Sequence, residues 1–343
     1  MSGGVDSSLT AALLKEQGYD VTGVYMKNWT QDMPGLICPW AEDLADAKRV
    51  AVGLDIDFKV FDFEKEYRDK VVEYMIDEYS RGRTPNPDIM CNQEVKFKLF
   101  LEAALEDGAD LIATGHYARV FHKNDTGYLE RAVDKNKDQT YFLYRVKGEA
   151  LAHTLFPVGE FEKSQVRKMA EERGLYTASK KDSQGICFVG QIGIRDFLSQ
   201  FVSTEPGDII DKKTGSVLGR HDGAIFYTLG QRHGLDVGGG IPYFVVGKDM
   251  DKNVVYVTTN LNDENLWLEE VDMVDTSWVN DPPKNGKEYF VRIRHQAPLI
   301  KVTYFNDNGR EYIKLSEKQR AITGGQSLVL YDKDVCLGGG IVI

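Results

Sequence analysis

The sequence predicts an α/β protein with three parts: a domain built on a parallel sheet, a small central domain and a C-terminal β-barrel. Up to about residue 200, segments with helical apolar spacing alternate with short apolar strands, which is typical of a parallel sheet covered by helices. After about residue 265, short alternating strands are joined by Asp-Asn-Gly and Gly-Gly turns, as in small barrels and sandwiches. Short strands with frequent Gly and Asp lie between these two regions. We therefore assign the domains to residues 1–200, 201–265 and 266–343.

The individual elements follow from the spacing of apolar residues. The first helix ends at Gly18, because glycine readily adopts the left-handed conformation found at helix C-termini. The predicted order in the first domain is a helix over 5–17, a strand over 20–26, a helix over 41–54, a strand over 55–63, helices over 64–82 and 94–108, and a strand over 109–115. Barrel strands are predicted over 287–296, 299–306, 310–316 and 326–332. Ligands of parallel sheets bind beyond the carboxyl ends of the strands, so we expect the site there.

The composition is that of an ordinary globular protein. Of its 343 residues, 42% are hydrophobic and 28% charged, enough for a sizeable core. No signal peptide and no bilayer-spanning apolar stretch is evident, so we expect a cytoplasmic protein without membrane contact. The net charge of −11 argues against non-specific wrapping of nucleic acid. The four cysteines include no Cys-x-x-Cys pair, so neither a protein metal site nor a disulfide framework is expected.

Residues 2–8 read Ser-Gly-Gly-Val-Asp-Ser-Ser and lead directly into the first helix. Gly3 and Gly4 permit tight turns and close approach of an oxygen-rich ligand, while Ser7 and Ser8 add hydroxyl groups. The helix N-terminus contributes unpaired amides and the positive end of the helix dipole. The loop therefore predicts a pyrophosphate site, although no lysine follows the glycines as in the Walker sequence. The simpler alternative is a Ser or Asp helix cap without a ligand.

Two cysteines lie in segments that carry other reactive groups. Asp88 precedes Cys91 by three residues in GRTPNPDIMCN, where two prolines are expected to hold the chain extended between two helices. Cys187 lies in GICF, after Lys180, Lys181 and Asp182. Taken singly, each cysteine has a simpler interpretation as a small buried core residue.

Together these motifs resemble the tRNA-specific 2-thiouridylases, a branch of the PP-loop ATP pyrophosphatases. The motifs are SGGVDSS, GRTPNPDIMCN, ATGHYAR, KDQTYFL and DSQGICF, followed by YTLGQRHGL, FVVGKD, QRAITGGQ and CLGGG, and they extend over essentially the whole chain. The resemblance implies an adenine nucleotide alpha hydrolase-like first domain and a barrel similar to the second domain of elongation factor Tu. In that fold a strand precedes the loop, whereas here the loop opens the sequence. Either the sequence begins late or the first strand is missing, and in the second case the sheet would lose a central strand.

The resemblance implies ATP-dependent 2-thiolation of the wobble uridine of tRNA. ATP, with Mg²⁺ as its counterion, would adenylate the oxygen on carbon 2 and release pyrophosphate. Cys187 would carry a persulfide, and Cys91 would attack it, deliver the sulfur and leave a Cys91–Cys187 disulfide. A thiol reductant would then reset the pair. Asp88 matches the acid–base group, consistent with the need to form a thiolate near neutral pH.

Further residues correspond to the family's binding positions. For ATP these are Ser2, Gly3, Gly4, Val5, Asp6, Ser7 and Ser8, with Met26 and Gly115 beside the adenosine. For tRNA they are Asn86, Pro87 and Asp88 at the target base, and His116, Lys137, Asp138, Gln139, Arg294, His295 and Gln326 elsewhere. Without the resemblance, Met26 reads as a core residue at a strand end, Gly115 as a turn and residues 137–139 as a solvated loop.

The implied partners are tRNA, a thiol reductant and a persulfide donor, either a cysteine desulfurase or a sulfur-relay protein. Residues 266–343 carry 10 Lys and Arg against 11 Asp and Glu, so polyanion binding requires basic residues gathered on one face. Three alternatives remain open at this point: a PP-loop ligase acting on a small metabolite, an enzyme for a different tRNA base, and a non-catalytic RNA-binding protein. Cys336 reads as a core strand residue, and Cys38 has no assigned role.

Overall fold

The structure is a computed structural model that describes residues 1–31, 40–181, 194–202, 204–235, 237–238, 240, 242–260, 267–320, 322 and 324–343. Its α-helices are α1 Val5–Glu16, α2 Trp40–Leu54, α3 Glu64–Tyr67, α4 Glu73–Ser80, α5 Pro87–Met90, α6 Phe100–Glu106, α7 Thr140–Leu143, α8 Gly148–Ala152, α9 Lys163–Glu172 and α10 Ile194–Leu198. Two π-helical segments, Arg68–Val72 and Cys91–Leu99, join α3 to α4 and α5 to α6. Short 3₁₀ turns lie at Pro157–Glu160 and Ala224–Phe226.

The strands fall into three regions of the chain. In the first domain they are β1 Thr22–Lys27, β2 Asp57–Asp62, β3 Ile112–Ala113, β4 Ala118–Lys123, β5 Thr126–Arg131 and β6 Thr154–Leu155. In the central domain they are β7 Gly207–Asp211, β8 Val217–His221, β9 Phe244–Asp249 and β10 Val254–Thr258. In the C-terminal domain they are β11 Trp267–Trp278, β12 Glu288–Arg292, β13 Ile300–Asp307, β14 Arg310–Arg320, β15 Ser327–Asp332 and β16 Val335–Val342.

The parallel sheet of the first domain consists of two separate pairs. β1 pairs with β2, and β3 pairs with β6, both in parallel register. Among the described residues no strand joins the two pairs. The other predicted helices and strands of the first domain are confirmed. Helix α1 ends just before Gly18, which has the left-handed conformation at φ 88°.

The helix that carries Asp88 begins earlier than the sequence predicts. Residues 87–106 form one helical run, α5, the π-helical segment and α6, whereas the prediction places residues 86–91 in an extended connection. The reason lies at the first helical position, where proline is well tolerated because its missing N–H would have no helical partner. Asn86 is the N-cap, and its side-chain oxygen accepts a hydrogen bond from the Asp88 amide at 3.1 Å.

The C-terminal domain is a closed six-stranded barrel, which confirms the predicted β-barrel; β11 and β16 are not among the predicted strand ranges. Its strand order is β11-β14-β13-β12-β15-β16, and pairing of β11 with β16 closes the ring. The β4–β5 hairpin of the first domain adds to this sheet, because Glu130 and Leu129 pair with Val335 and Cys336 on β16. The first domain and the barrel are therefore joined by a shared sheet. The central domain contributes a separate four-stranded sheet, β8-β7-β10-β9.

None of the helices in the described part of the chain combines the length and hydrophobicity needed to cross a bilayer.

Candidate active site

The glycine-serine loop turns directly into the N-terminus of α1. Gly3 adopts φ 72°, and a Cβ atom there would lie 2.5 Å from the carbonyl oxygen of Asp43. The hydroxyls of Ser7 and Ser8 both donate to the carbonyl oxygen of Gly4, at 3.1 and 2.8 Å. Ser8 is fully buried, so its side chain stabilises the turn rather than facing a ligand. Gly4, the N-cap, supplies no side-chain cap, which leaves the first-turn amides of α1 for another acceptor.

The predicted Gly115 packs against this same helix N-terminus. A Cβ atom at Gly115 would lie 2.7 Å from the Ser7 amide nitrogen and 2.8 Å from the Asp6 carbonyl carbon. Two residues further on, the Tyr117 hydroxyl donates to Asp6 Oδ1 at 2.8 Å. The ATGHYAR segment therefore forms the second wall of the loop, as its motif suggests, and only glycine fits at position 115.

Asp6 is ion-paired with a residue that sequence reasoning missed. Lys163, the first residue of α9, places Nζ 2.7 and 2.8 Å from the two Asp6 carboxylate oxygens. Its ammonium also lies 5.4 Å from the centre of the Tyr117 ring. No local signal marks this lysine, because its partner lies 157 residues earlier in the chain.

A cavity of about 790 Å³ lies between the loop and the strand ends. This volume is in the range of small-molecule and cofactor sites. The predicted residues on its wall are Ser2, Asp6, Ser7, Met26, Gly115, His116 and Gln139. Two further lining residues, Thr10 and Asn28, have buried side-chain oxygens without a hydrogen-bond partner in the described part of the chain. Buried polar atoms generally have a hydrogen-bond partner, and a polar ligand in the cavity would supply one here.

Asp88 and Cys91 lie on one face of the same helix, because residues three apart on a helix are neighbours. Cys91 is buried at 1% exposure, whereas Asp88 is partly buried. Further along this helix, Lys96 and Phe100 line the cavity. Cys91 and Lys96 lie five residues apart on the π-helical segment. The second predicted cysteine, Cys187, lies outside the described residues, as does Cys38.

His116 forms part of the cavity wall as a neutral ring. Its Nδ1 is 2.8 Å from the Thr114 hydroxyl, and Phe97 and Phe156 pack against it at centroid distances of 5.7 and 6.1 Å. Burial, with a smaller contribution from Lys96, lowers the pKa of His116 well below its usual value of 6.5. A neutral imidazole can accept or donate a hydrogen bond, but it offers no charge to a phosphate.

The side chains of Lys137, Asp138 and Gln139 lie in different environments. Lys137 is partly buried, and the Gln139 side-chain oxygen accepts from the Tyr117 amide at 2.9 Å. The carboxylate of Asp138 is fully buried, 2.6 Å from Arg292 Nη1 and 3.0 Å from the Thr140 hydroxyl. The prediction of a direct Asp138–tRNA contact does not fit this burial, because the carboxylate is enclosed between the first domain and the barrel.

The predicted barrel residues come close to the helix that carries Cys91. Asn92 donates to the Phe142 carbonyl at 3.0 Å, and the Phe142 ring packs on His295 with centroids 4.3 Å apart. Burial lowers the pKa of His295, which favours its neutral form. Arg294 is exposed beside it, and the side-chain oxygen of Gln326 is buried without a partner in the described part of the chain.

Cys336 is confirmed as a core strand residue on β16. It is 1% exposed, and burial strongly raises the pKa of its thiol, so the reactive thiolate form is disfavoured. Within the described residues, no cluster of three or more His, Cys, Asp or Glu side chains could hold a metal ion.

The fold and this site define a PP-loop α/β protein with two β-domains appended. Three domain-family models match the chain in order: the tRNA methyl transferase HUP domain over residues 1–191, the tRNA methyl transferase PRC-barrel domain over 195–259 and the aminomethyltransferase beta-barrel domain over 269–342. The chain belongs to the tRNA-specific 2-thiouridylase family. This follows from its similarity to curated family members over its full length.

Three such relatives carry the name tRNA-specific 2-thiouridylase MnmA. The protein of Lysinibacillus sphaericus is 49% identical over 347 residues, covering 100% of this chain and 92% of the relative. That of Exiguobacterium sibiricum is 49% identical with the same coverage, and that of Bacillus subtilis is 47% identical over 100% and 93%. Among solved structures, an NH3-dependent NAD synthetase from Campylobacter jejuni aligns at 17% identity and a TM-score of 0.32 over 54% of this chain and 67% of its own. A TM-score this low supports no argument about fold.

Proposed function

We propose that this protein catalyses the ATP-dependent 2-thiolation of the wobble uridine of tRNA. The observation that carries the proposal is the helix over residues 87–106. Its first turns present Asp88 and Cys91, and its later turns line the cavity beneath the glycine-serine loop through Lys96 and Phe100. A nucleotide site and a thiol with an acid–base neighbour therefore lie along one continuous helical run. Membership of the 2-thiouridylase family supports the same reaction.

The loop fits a nucleoside triphosphate. The first-turn amides of α1 and the dipole of this helix suit a pyrophosphate, and Asn28 and Thr10 offer unpaired polar atoms deeper in the cavity. Mg²⁺, when bound with ATP, would neutralise phosphate charge. Because the described residues contain no cluster of metal ligands, we expect the metal to be held mainly by the phosphates, with Asp6 as the nearest acidic residue of the loop.

The reaction then proceeds in two stages. The uridine oxygen on carbon 2 attacks the α-phosphorus of ATP, forming an adenylated base and releasing pyrophosphate. A persulfide on Cys187, supplied by a cysteine desulfurase or a sulfur-relay protein, provides the sulfur. The Cys91 thiolate attacks the Cys187 sulfur, hydrosulfide is expelled onto carbon 2, and AMP leaves. The resulting Cys91–Cys187 disulfide is reduced by an external thiol, which completes the electron balance.

Asp88 is suited to accept the Cys91 proton. The two side chains are three residues apart on the helix, and the thiolate, not the thiol, is the nucleophile. Cys91 is buried, so the helix start must shift for the thiol to meet its partners. We expect tRNA to be contacted by the exposed Arg294 together with Lys137, Gln139, His295 and Gln326, with the wobble base splayed from the anticodon into the site.

Nucleoside mass spectrometry tests the proposal. Unmodified tRNA with a wobble uridine is incubated with the protein, ATP-Mg²⁺ and a persulfide donor, and then digested to nucleosides. We expect 2-thiouridine with the unaltered chain and with Cys336→Ser, because Cys336 is buried where the barrel packs on the first domain and does not line the cavity. We expect none with Cys91→Ser. Equal 2-thiouridine from Cys91→Ser would overturn the assigned thiol chemistry.

A further inference from the structure

The loop over residues 82–86, here called the threonine loop, precedes Asp88 and is contacted by both C-terminal domains. The Thr84 hydroxyl lies 3.1 Å from the hydroxyl of Thr228 in the central domain. The Thr84 amide donates to the carbonyl oxygen of Gly324 in the barrel domain at 3.3 Å. A single threonine of the first domain is therefore held from two sides by the rest of the molecule.

Two glycines permit this close approach. Gly325 adopts φ 87°, and a Cβ atom there would lie 2.7 Å from both the Arg83 Cβ and the Thr84 amide nitrogen. Gly82 adopts φ 77°, and a Cβ atom there would lie 2.7 Å from Met250 Cγ. The barrel and the central domain thus press against the threonine loop where an added methyl group has no room.

The central-domain side of this contact is itself fixed. The Thr228 amide donates to the Gln231 side-chain oxygen at 3.0 Å, and Lys248 Nζ donates to the carbonyl oxygen of Tyr227 at 2.7 Å. Thr228 and Gln231 belong to the YTLGQRHGL segment, a motif for which the thiolation chemistry gives no role. On the first-domain side, Arg83 pairs with Glu78 of α4 at 3.2 Å.

We propose that Thr228 and Gly325 are positioning residues that set the threonine loop, and through it the start of the helix bearing Asp88 and Cys91. The inference rests on the proposed function. Gly325 directly precedes Gln326, a predicted tRNA contact. The segment expected to bind tRNA therefore also packs against the threonine loop. A change in the position of this barrel segment when tRNA binds would then move the threonine loop, and with it the start of the helix that carries Asp88 and Cys91. A displacement of about 1 Å at reacting groups can lower a rate roughly 100-fold.

The first test removes one hydroxyl from the central domain. In Thr228→Val the shape is kept and the hydrogen bond to Thr84 is lost. We expect kcat for 2-thiouridine formation to fall roughly tenfold, with KM for tRNA within about twofold of the unaltered chain. Thr228→Ser restores the hydroxyl and should restore the rate. The matched control is Thr258→Val, since Thr258 is buried in the same domain but bonds only the local Asn260 amide in the described contacts.

The second test adds a methyl group at the barrel side. Gly325→Ala places a Cβ atom against Thr84, and we expect a larger fall in kcat than for Thr228→Val. Gly309→Ala is the matched control: Gly309 is also in the barrel domain and has φ 88°, but its Cβ would meet nothing within 4 Å. Both variants carry a similar backbone strain, so a difference between them reports the contact with the threonine loop.

The outcomes separate the two proposals. If the unaltered chain forms no 2-thiouridine, the proposed function fails. If it does, and Thr228→Val and Gly325→Ala match their controls in kcat, the positioning role is overturned. A rise in KM for tRNA with kcat unchanged also overturns it, because the residues would then act in binding alone. Should either variant unfold, Thr84→Val removes the same hydrogen bond from the loop side. It must lower kcat like Thr228→Val, and the double variant must show little further loss.

Discussion

His116 is a neutral side chain in the wall of the cavity. Burial holds its pKa far below the usual value, so the folded protein keeps the ring neutral while the unfolded chain takes up a proton near pH 6.5. The folded state therefore loses stability relative to the unfolded state as the pH falls through and below 6.5. The slope approaches about 1.4 kcal/mol per pH unit for one proton.

This pH dependence can be measured by denaturant unfolding between pH 5 and 8. We expect the free energy of unfolding to decrease below pH 6.5 in the unaltered chain, and to decrease less steeply in His116→Gln. The ring resonances of His116 in NMR spectra should show no titration at pH 6.5. A His116 titration midpoint near 6.5 would contradict the assigned environment.

At the scale of single residues, the sequence indicates candidate site residues better than it indicates their burial and ion-pair partners. The glycine-serine loop and the Asp88–Cys91 pair could be proposed from residue type and spacing, whereas Gly115 was assigned only through the resemblance to the family. The burial of Asp138 could not be predicted, because it depends on Arg292, which lies 154 residues later in the chain. Lys163 was missed for the same reason. Ion pairs between distant segments leave no periodic or local trace in a sequence.

At the scale of elements, two helix N-termini meet at Asp6. Asp6 lies in the first turn of α1, and Lys163 is the first residue of α9, after the N-cap Glu162. The ion pair between them is largely enclosed, with side-chain exposures of 30% and 12%. Lys163 thereby offsets the negative charge of Asp6 at the place where ATP phosphates are proposed to bind.

Replacing Lys163 tests this arrangement. In Lys163→Met the Asp6 charge is uncompensated and repels the polyphosphate, so we expect KM for ATP in AMP formation to rise roughly tenfold. Lys168→Met is the matched control, because Lys168 lies on the same helix but is 76% exposed and pairs only with Glu172 among the described ion pairs. An unchanged KM for ATP in Lys163→Met would rule out this role.

The helices and strands of the first domain and the barrel were largely predictable, because apolar periodicity dictates which face is buried. The start of the helix at Pro87 was not, since proline can either extend a chain or occupy the first helical position. The addition of the β4–β5 hairpin to the barrel sheet was also not predictable. It depends on pairing between residues 129–130 and 335–336, which lie too far apart in the sequence for a hairpin turn to indicate the pairing.

At the scale of the whole molecule, buried ion pairs and hydrogen bonds lock the first domain to the barrel. Asp138 and Arg292 form the most enclosed pair, with 0% and 5% side-chain exposure. Arg145 adds a second link, donating to the Asp275 carbonyl oxygen at 2.9 Å and to its carboxylate at 3.0 Å. The first domain and the barrel are therefore expected to behave as one unit when tRNA binds.

Breaking the Asp138–Arg292 pair should destabilise the protein strongly. Asp138→Asn leaves the guanidinium of Arg292 buried without its counter-charge, and we expect the free energy of unfolding to fall by about 3 kcal/mol. Asp332→Asn, which breaks an exposed pair with Lys287 in the same barrel, should change it by less than about 1 kcal/mol. Chemical denaturation of the two variants provides the comparison. Equal losses would show that the enclosed pair does not join the domains.

The most direct test of the proposed function follows labelled sulfur to a single nucleotide. A persulfide donor carrying ³⁴S is supplied with ATP-Mg²⁺ and unmodified tRNA, and the RNA is fragmented and mapped by mass spectrometry. We expect ³⁴S on the wobble uridine alone, with one AMP released for each sulfur incorporated. Label on another nucleotide, or AMP release without any label in tRNA, would contradict the assignment.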